Sequence, residues 1–302
     1  MNQKYQKLID LLGKDKIKVD EPLANYTTYK IGGPADLFIQ IESEEALVRT
    51  IEAVKKTGVP YFILGNGSNI LVGDKGFRGI VIKIQNSKFK IQKSDSKVII
   101  YAEAGMALLT LLDQCRENSL SGLEFVAGIP GTVGGAVRGN AGAWQQNISD
   151  KILRVKILFE DRDVLWIDKD NCSFSYRNSR FKSSDEIILG VEFELAKEDT
   201  TKIVDLTSFY LTKRLNQPKE PSAGCVFVNP KPQSAGQLID ACGLKGRQVG
   251  GAKISEEHAN FFINTGGAKA SELSALINLA KQKVKEKFYI DLQEEIVRIG
   301  EF

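Results

Sequence analysis

Two glycine-rich segments constrain this chain more than any other feature of its sequence. The longer one, residues 128–142, contains six glycines in fifteen residues, a content that neither helix nor strand propensity explains. The shorter one, residues 64–70, reads Leu-Gly-Asn-Gly-Ser-Asn-Ile and follows a short apolar run typical of a buried strand. Backbone with so few side chains predicts close packing against a ligand or a neighbouring part of the chain.

The shorter segment has the composition of an anion-binding turn. Gly65 and Gly67 can adopt dihedral angles that direct successive backbone N–H groups toward one point, and Ser68 and Asn69 add side-chain donors. Such a concave turn suits a diphosphate. For one such segment alone a tight structural turn is the alternative, since the sequence is neither a Walker loop nor a complete GxGxxG motif. Two glycine-rich segments together favour a long cofactor held at two places.

Composition and charge exclude several classes of protein. The 302 residues carry 41 basic and 38 acidic side chains, a formal charge of +3, without the basic stripe of a nucleic-acid-binding protein. We find no apolar run long enough to span a bilayer and no signal peptide in the first twenty residues. The four cysteines form no CxxC pair and there is one histidine, so we expect reduced thiols, no metal site and a cytoplasmic location.

Apolar periodicity predicts a chain of mixed helices and strands, of the α+β class. We expect strands at 37–41, 61–64, 79–84 and 98–101, β structure over 151–195, and helices at 44–57, 108–115, 203–210 and 271–288. The proline-rich segment 216–232 is a candidate domain junction. A cluster of lysines is expected to line the solvated edge of a hairpin, with an anion-binding patch as the alternative: Lys83, Lys88, Lys90, Lys93 and Lys97.

Seven motifs occur in order over nearly the whole chain. They include Ser-Tyr-Arg-Asn-Ser at 175–179 and Pro-Ser-Ala-Gly-Cys-Val-Phe-Val-Asn-Pro at 221–230. The others lie at residues 26–36, 64–71, 128–143, 250–252 and 294–300. Together they resemble the UDP-N-acetylenolpyruvoylglucosamine reductase family. The resemblance implies a three-domain flavoenzyme with a two-part FAD-binding domain of the PCMH type and a C-terminal α+β substrate domain.

The resemblance also implies domain limits and a reaction. Residues 1–80 and 81–200 would hold FAD without a covalent bond, 201–292 would carry the UDP-sugar, and the tail 293–302 would return to the active site, where domains meet. The family passes a hydride from NADPH through FAD to UDP-N-acetylglucosamine enolpyruvate and forms UDP-N-acetylmuramate, a peptidoglycan precursor. We expect a monomer with no nucleic-acid or membrane partner.

Three residues match the family's catalytic positions. Arg177 would hold the substrate carboxylate, since a guanidinium suits a carboxylate whose charge grows. Glu295 matches the catalytic glutamate, although Glu294 beside it is equally acidic. Cys225 stands where many members carry a serine as proton donor, and a thiol with a pKa of about 8.5 is far more acidic than an alcohol. Without the family resemblance, Arg177 would be interpreted as part of a surface ion pair and Glu295 as a solvated carboxylate. Cys225 would be interpreted as a small buried side chain.

Further residues follow from the resemblance alone. The residues expected to bind the cofactor are Tyr29, Gly65, Asn66, Gly67, Ser68, Asn69, Gly128, Ile129, Pro130, Gly131, Thr132 and Gly135. Those expected to bind substrate are Tyr176, Arg214, Gln217 and Asn229. The interval from Arg177 to Cys225 is short for the family, which implies the type that lacks a tyrosine-bearing loop.

Two alternatives remain open from the sequence. One is another flavoenzyme of the same superfamily, such as an alcohol or lactone oxidase, but these often attach the flavin through a histidine near the first glycine segment, and His258 is far from it. The other is a nucleotide-binding protein without activity, which leaves the motifs around Arg177, Cys225 and Glu295 unexplained.

Overall fold

The computed structural model describes residues 3–93, 97–160 and 163–302, as a mixture of helices and strands that confirms the α+β prediction. The helices of these residues are α1 Gln3–Leu12, α2 Glu44–Thr57, α3 Leu108–Glu117, α4 Val133–Gly139, α5 Thr200–Thr212, α6 Ala235–Ala241 and α7 Ala270–Phe288. The strands are β1 Ile17–Pro22, β2 Pro34–Ile41, β3 Tyr61–Leu64, β4 Ile70–Val72, β5 Phe77–Ile84, β6 Phe89–Lys93, β7 Val98–Glu103, β8 Leu120–Ser121, β9 Gly142–Ala143, β10 Gln146–Asn147, β11 Ile152–Phe159, β12 Asp163–Asp168, β13 Ile187–Lys197, β14 Ser222–Cys225, β15 Gln248–Val249, β16 Ala252–Ile254, β17 Phe261–Asn264 and β18 Val297–Ile299.

Helix α2 begins and ends where its sequence predicts. The Ser43 hydroxyl accepts a hydrogen bond from the Ala46 N–H at 3.2 Å, which satisfies one of the free amides at the helix start. At the other end Gly58 adopts a left-handed conformation, with φ of 64°, and terminates the helix. Local capping therefore determines both boundaries.

The chain divides into two compact units. Unit 1 comprises residues 1–17, 39–66 and 81–215, and its largest sheet has the strand order β12-β11-β13-β7-β6, with β8 paired to β13. Adjacent strands in this sheet are antiparallel. Its hydrophobic core lies under α3 and α4 and includes Phe125, Phe181 and Phe193, each at most 1% exposed. This core supports the second glycine-rich segment.

Unit 2 comprises residues 18–38, 67–80 and 216–302. Its main sheet has the order β14-β17-β16-β15, all antiparallel, and α7 buries one apolar face in the same core. Strand β18 pairs in parallel with β4. Asp74 accepts hydrogen bonds from the Ala270 and Ser271 N–H groups, at 2.7 and 3.0 Å, and so caps the start of α7 from a distant part of the sequence.

The units are assembled from separated segments, which sequence patterns do not reveal. Strands β2 and β5 belong to one four-stranded sheet, ordered β1-β2-β5-β3, and each contributes residues to both units. The predicted junction at 216–232 begins where unit 1 ends, at Leu215. The three-domain division by continuous ranges stays a prediction. In the described part of the chain, none of the helices has the length and apolar character that a bilayer crossing needs.

Candidate active site

The two glycine-rich segments meet within unit 1. A Cβ built on Gly65 would lie 2.6 Å from Thr132 Oγ1, so only glycine allows this approach. The Asn66 side-chain amide donates to the carbonyl oxygens of Pro130 and Gly131, at 3.3 and 3.4 Å. Segments more than sixty residues apart therefore form one continuous surface of backbone and small polar side chains.

Arg214 fixes the start of the second segment. Its Nε donates to the Ala127 carbonyl at 2.7 Å, and a Cβ on Gly128, where φ is 79°, would lie 2.7 Å from Arg214 Cδ. The side chain predicted to contact substrate is thus in contact with the glycine-rich backbone. These contacts hold the backbone at the start of the predicted cofactor-binding loop in place.

Part of the second segment is a helix, which corrects the expectation that helix formation could not explain its glycines. Helix α4 contains Gly134, Gly135 and Gly139. The Thr132 hydroxyl caps its start by accepting from the Gly135 N–H at 3.3 Å. Gly134 packs so closely on Ala104 that a Cβ would approach Ala104 Cβ to 2.9 Å. Tertiary packing here outweighs the low helix propensity of glycine.

Arg177 lies at the tip of a tight turn that α4 holds in place. Ser175 and Asn178 exchange backbone hydrogen bonds of 3.0 and 3.1 Å, which leaves Tyr176 and Arg177 as the two central residues. Arg177 has a φ of 55°, a conformation that costs a non-glycine residue about 1–3 kcal/mol. Its guanidinium carbon lies 5.3 Å from the centre of the Tyr176 ring.

Partly buried hydrogen bonds support this strained turn. The Asn140 side chain at the end of α4 donates to the Ser175 carbonyl at 2.8 Å. The Lys182 ammonium donates to the Arg177 carbonyl at 2.7 Å, and the Ser179 hydroxyl donates to the Arg138 carbonyl at the same distance. The strained backbone of Arg177 is therefore determined by its surroundings, as is common for residues at functional sites.

Strand β14 has a bulge immediately before Cys225. The register with β17 shifts between Ser222 and Cys225, so the two strands do not pair evenly there. Gly224 within the bulge has a φ of 72°, and a Cβ at this position would have no atom within 4 Å. Bulges next to active sites often redirect one side chain. Cys225, the next residue, is half-buried.

The C-terminal segment brings Glu295 next to Cys225 within unit 2. The Glu295 N–H donates to the Val226 carbonyl at 2.7 Å, so the two segments run side by side at this point. The Asn69 side chain, from the first glycine-rich segment, donates to the Glu295 carbonyl at 3.0 Å. Main-chain pairing thus positions the thiol-bearing and carboxyl-bearing segments together.

Glu294 is held by two basic side chains. Its carboxylate forms ion pairs with the Lys281 ammonium at 2.5 Å and with Arg298 Nε at 2.7 Å. Although burial acts to raise the pKa of Glu294, the hydrogen bonds from Arg298 and Lys281 hold it below its usual value. Glu294 is therefore part of a structural ion-pair network.

Tyr29 differs from its expected role at a cofactor surface. Its side chain is fully buried in the core of unit 2, and its carbonyl accepts a hydrogen bond from the Asn264 side chain at 3.0 Å. Burial raises the pKa of its hydroxyl well above the usual value, with Cys225 and Glu294 acting in the same direction. Tyr29 therefore belongs to the core of unit 2 and not to an exposed binding surface.

The remaining polar residues of unit 2 make local contacts. Asn229 Oδ1 accepts from the Ala235 N–H at the start of α6, at 2.9 Å, and Gln217 is partly buried in the segment before β14. The Lys253 ammonium lies 2.5 Å from Glu256, and His258 Nδ1 accepts from the Asn260 N–H at 3.2 Å. Burial lowers the pKa of His258. These contacts agree with a loop-shaping role for Lys253 and His258.

One lysine of the predicted hairpin edge lies elsewhere. Strand β6 is the edge strand of its sheet, and the side chains of Lys88, Lys90 and Lys97 are exposed there. Lys83 is instead half-buried, and its ammonium donates to the Gly65 carbonyl at 2.8 Å. A lysine within the apolar run Ile80–Ile84 was the available signal for this position. The predicted lysine cluster is therefore divided, because Lys83 is half-buried whereas Lys88, Lys90 and Lys97 are exposed.

The joined glycine-rich segments fit the diphosphate of a dinucleotide. Where they meet in unit 1 they supply main-chain N–H groups and the short polar side chain of Asn66, and neither segment contains an acidic residue. Gly128, Pro130 and Gly135 are exposed on the second segment, so its surface is open to a ligand. Donors without nearby carboxylates are the groups that a polyanion requires.

Comparison with known proteins agrees with these observations. Residues 35–168 match the family model of an FAD binding domain, and residues 217–299 match that of the UDP-N-acetylenolpyruvoylglucosamine reductase C-terminal domain. The reductase of Halalkalibacterium halodurans is 41% identical over 95% of each chain, and that of Bacillus subtilis is 41% identical over 94% of each.

A solved structure extends the likeness to three dimensions. The crystal structure of UDP-N-acetylenolpyruvylglucosamine reductase from Thermus caldophilus has a TM-score of 0.80 and 34% identity, covering 94% of this chain and 98% of that one. The FAD binding domain coincides with the region that holds both glycine-rich segments, and the protein is an FAD-dependent oxidoreductase. This chain belongs to the UDP-N-acetylenolpyruvoylglucosamine reductase family.

Proposed function

We propose that this enzyme reduces UDP-N-acetylglucosamine enolpyruvate to UDP-N-acetylmuramate in peptidoglycan precursor synthesis, with NADPH as the electron donor. The observation that carries the proposal is the main-chain pairing that sets Glu295 beside the segment of Cys225, in a member of this reductase family. We further propose that the enzyme is a cytoplasmic monomer that needs no membrane or nucleic-acid partner and belongs to the type without a tyrosine-bearing loop.

The bound FAD supplies the redox chemistry, since a flavin accepts a hydride from NADPH and can deliver it from N5 to carbon. Residues of both glycine-rich segments would hold its diphosphate, namely Gly65, Asn66, Gly67, Ser68 and Asn69 with Gly128, Ile129, Pro130, Gly131, Thr132 and Gly135. Their neutral donors would stabilise the diphosphate charge through hydrogen bonds.

Arg177 would bind the carboxylate of the enolpyruvyl group. When the β carbon of the substrate gains a hydride, the electron pair of the double bond moves toward this carboxylate and gives an enolate-like dianion. A guanidinium offers two parallel N–H donors to such a group, and the charge-assisted hydrogen bonds strengthen as the negative charge grows. The strained turn at Ser175–Asn178 holds the arginine in advance of binding.

Cys225 would complete the reduction with a proton. The Sγ–H bond breaks, its proton forms the new C–H bond at the α carbon, and the thiolate regains a proton from water afterwards. Glu295 would act in its protonated form or as part of the acid–base network, because an ionised carboxylate would repel the dianion. The net change is one hydride and one proton added across the double bond, with NADPH converted to NADP⁺.

Anaerobic flavin spectroscopy tests the reaction. NADPH should bleach the flavin absorbance of the purified protein, and addition of UDP-N-acetylglucosamine enolpyruvate should restore it rapidly with formation of UDP-N-acetylmuramate. Reduced protein that stays bleached with this substrate would refute the proposed substrate. Release of the yellow chromophore into the supernatant on acid precipitation distinguishes non-covalent FAD from a histidine-linked flavin.

Replacing each of the two neighbouring glutamates with glutamine should affect turnover and stability differently. We expect Glu295→Gln to lower turnover about 10²–10⁴-fold, as loss of an acid–base group does, with little change in stability. Glu294→Gln should instead lower the free energy of unfolding at pH 7 by about 1–3 kcal/mol, because it breaks partly buried ion pairs, and keep turnover. Steady-state assays and urea denaturation measure both effects.

The effect of Glu294 on stability should also depend on pH. Its pKa is lowered in the folded protein, so its contribution is present above the unfolded value of about 4.5 and is lost as pH falls through the folded value. The difference in unfolding free energy between Glu294→Gln and the unmodified protein should therefore shrink in acid. A difference that stays constant from pH 7 to pH 3 would contradict the ion-pair assignment.

A further inference from the structure

Lys83 presents a half-buried positive charge beside the first glycine-rich segment. Its ammonium donates to the Gly65 carbonyl at 2.8 Å, and burial lowers the pKa of this group. Among residues 3–93, 97–160 and 163–302, no carboxylate forms an ion pair with it. Taking an ammonium partly out of water without a counter-charge is unfavourable in the free protein. This placement suggests that an anion completes the site.

The geometry of the peptide bond links Lys83 to that anion. In the planar trans peptide between Gly65 and Asn66, the carbonyl of Gly65 and the N–H of Asn66 point in opposite directions. Holding the carbonyl toward Lys83 therefore presents the N–H on the other side. A cation at the carbonyl also polarises the peptide and makes its N–H a stronger donor.

The other contacts of this peptide lie at the junction of the two glycine-rich segments. The Asn66 side chain reaches the Pro130 and Gly131 carbonyls, and Gly65 packs on Thr132. A rotation of the Gly65–Asn66 peptide would disturb both contacts. Lys83 thus fixes the orientation of one peptide at the point where the segments meet.

We propose that Lys83 is a positioning residue for FAD, which orients the Gly65–Asn66 peptide so that the Asn66 N–H binds the cofactor's diphosphate. The positive charge of Lys83 additionally stabilises the bound diphosphate through this peptide. The inference rests on the FAD dependence of the proposed function and not on its sugar substrate. FAD affinity, measured without NADPH or sugar, therefore tests it separately from the reaction.

The experiment compares FAD binding by the FAD-free full-length protein and its variants, using quenching of flavin fluorescence. Lys83→Met keeps the apolar stem and removes the charge, and we expect it to raise the Kd for FAD about tenfold or more. Lys83→Gln is a second neutral variant with the same expected loss. Lys83→Arg should restore the Kd to within about threefold. Lys90→Met, on the exposed edge strand, is the matched control and should bind FAD normally.

Thermal unfolding distinguishes positioning for FAD from a purely structural role. Removal of an uncompensated charge should leave the Tm of the FAD-free Lys83→Met protein unchanged or higher, while the rise in Tm on adding FAD becomes smaller. A lower Tm without FAD, together with an FAD Kd within about twofold of the original, would show that Lys83 only stabilises the fold. Failure of arginine to restore binding would likewise overturn the proposal.

Discussion

Replacing Cys225 with alanine is expected to lower the rate of substrate reduction by about 10²–10⁴-fold, the usual contribution of a general acid. The alanine cannot protonate the α carbon, whereas the NADPH reaction needs no proton from this side chain. Flavin bleaching by NADPH should therefore keep its rate, and recovery of the flavin absorbance on adding the enolpyruvyl sugar should become slow. Stopped-flow absorbance measures the two half-reactions separately.

Cys225→Ser is the matched control, because it retains a proton on a side chain of nearly the same size. We expect it to keep turnover within about tenfold of the original enzyme. The bulge at Gly224 sets the backbone at this position and should be unaffected by either change. An alanine variant whose flavin recovers at the original rate would show that another group supplies the proton.

Replacing Gly67 with alanine is expected to lower the free energy of unfolding by about 3–5 kcal/mol. A Cβ there would lie 2.1 Å from the Tyr26 carbonyl oxygen, and the φ of 61° is itself unfavourable for alanine. Backbone atoms cannot give way as a flexible side chain can. Urea denaturation of the FAD-free protein measures the loss, and displacement of the turn should also weaken FAD binding.

Gly139→Ala provides the contrast within the other glycine-rich segment. A Cβ at this position would have no atom within 4 Å, and the residue ends a helix, where alanine is favoured over glycine by up to about 1 kcal/mol. We expect stability to be unchanged or slightly higher. Equal losses in the two alanine variants would contradict the close backbone approach at Gly67.

Sequence patterns predicted those elements whose ends and faces are determined locally. Helix α2 follows from Ser43 and Gly58, and α7 follows from an apolar face that includes Leu273, Ile277 and Val284, all buried. Their signals lie within one helix length, so no distant contact is needed to interpret them. The positions of these helices could be predicted without any knowledge of the fold.

Features that depend on distant contacts could not be predicted in this way. Helix α4 forms in a glycine-rich segment because Gly134 must approach Ala104, which the local sequence does not show. In the sequence, Lys83 resembles the other lysines of the predicted hairpin. Only the fold shows that its ammonium donates to the Gly65 carbonyl. Likewise, the ion pairs of Glu294 with Lys281 and Arg298 depend on the fold and are not evident from the sequence.

For the candidate site, the sequence indicated a bound cofactor and acid–base residues, and the structure showed which of these residues contact one another. The two glycine-rich segments were expected to hold one cofactor, and Gly65 and Asn66 of the first do contact the second within unit 1. The catalytic roles of Arg177, Cys225 and Glu295 stay predictions. Their assignment depends on the family motifs, because an arginine, a cysteine and a glutamate alone have many ordinary uses.

The parallel pairing of β4 with β18 has a consequence for synthesis on the ribosome. All segments of unit 1 have been translated once residue 215 is made, but residues 70–72 have no strand partner until residues 297–299 emerge. At translation rates of ~5–20 residues per second this interval is on the order of ten seconds. During it the apolar Ile-Leu-Val segment lacks its partner strand, and unpaired strand backbone favours association with other chains.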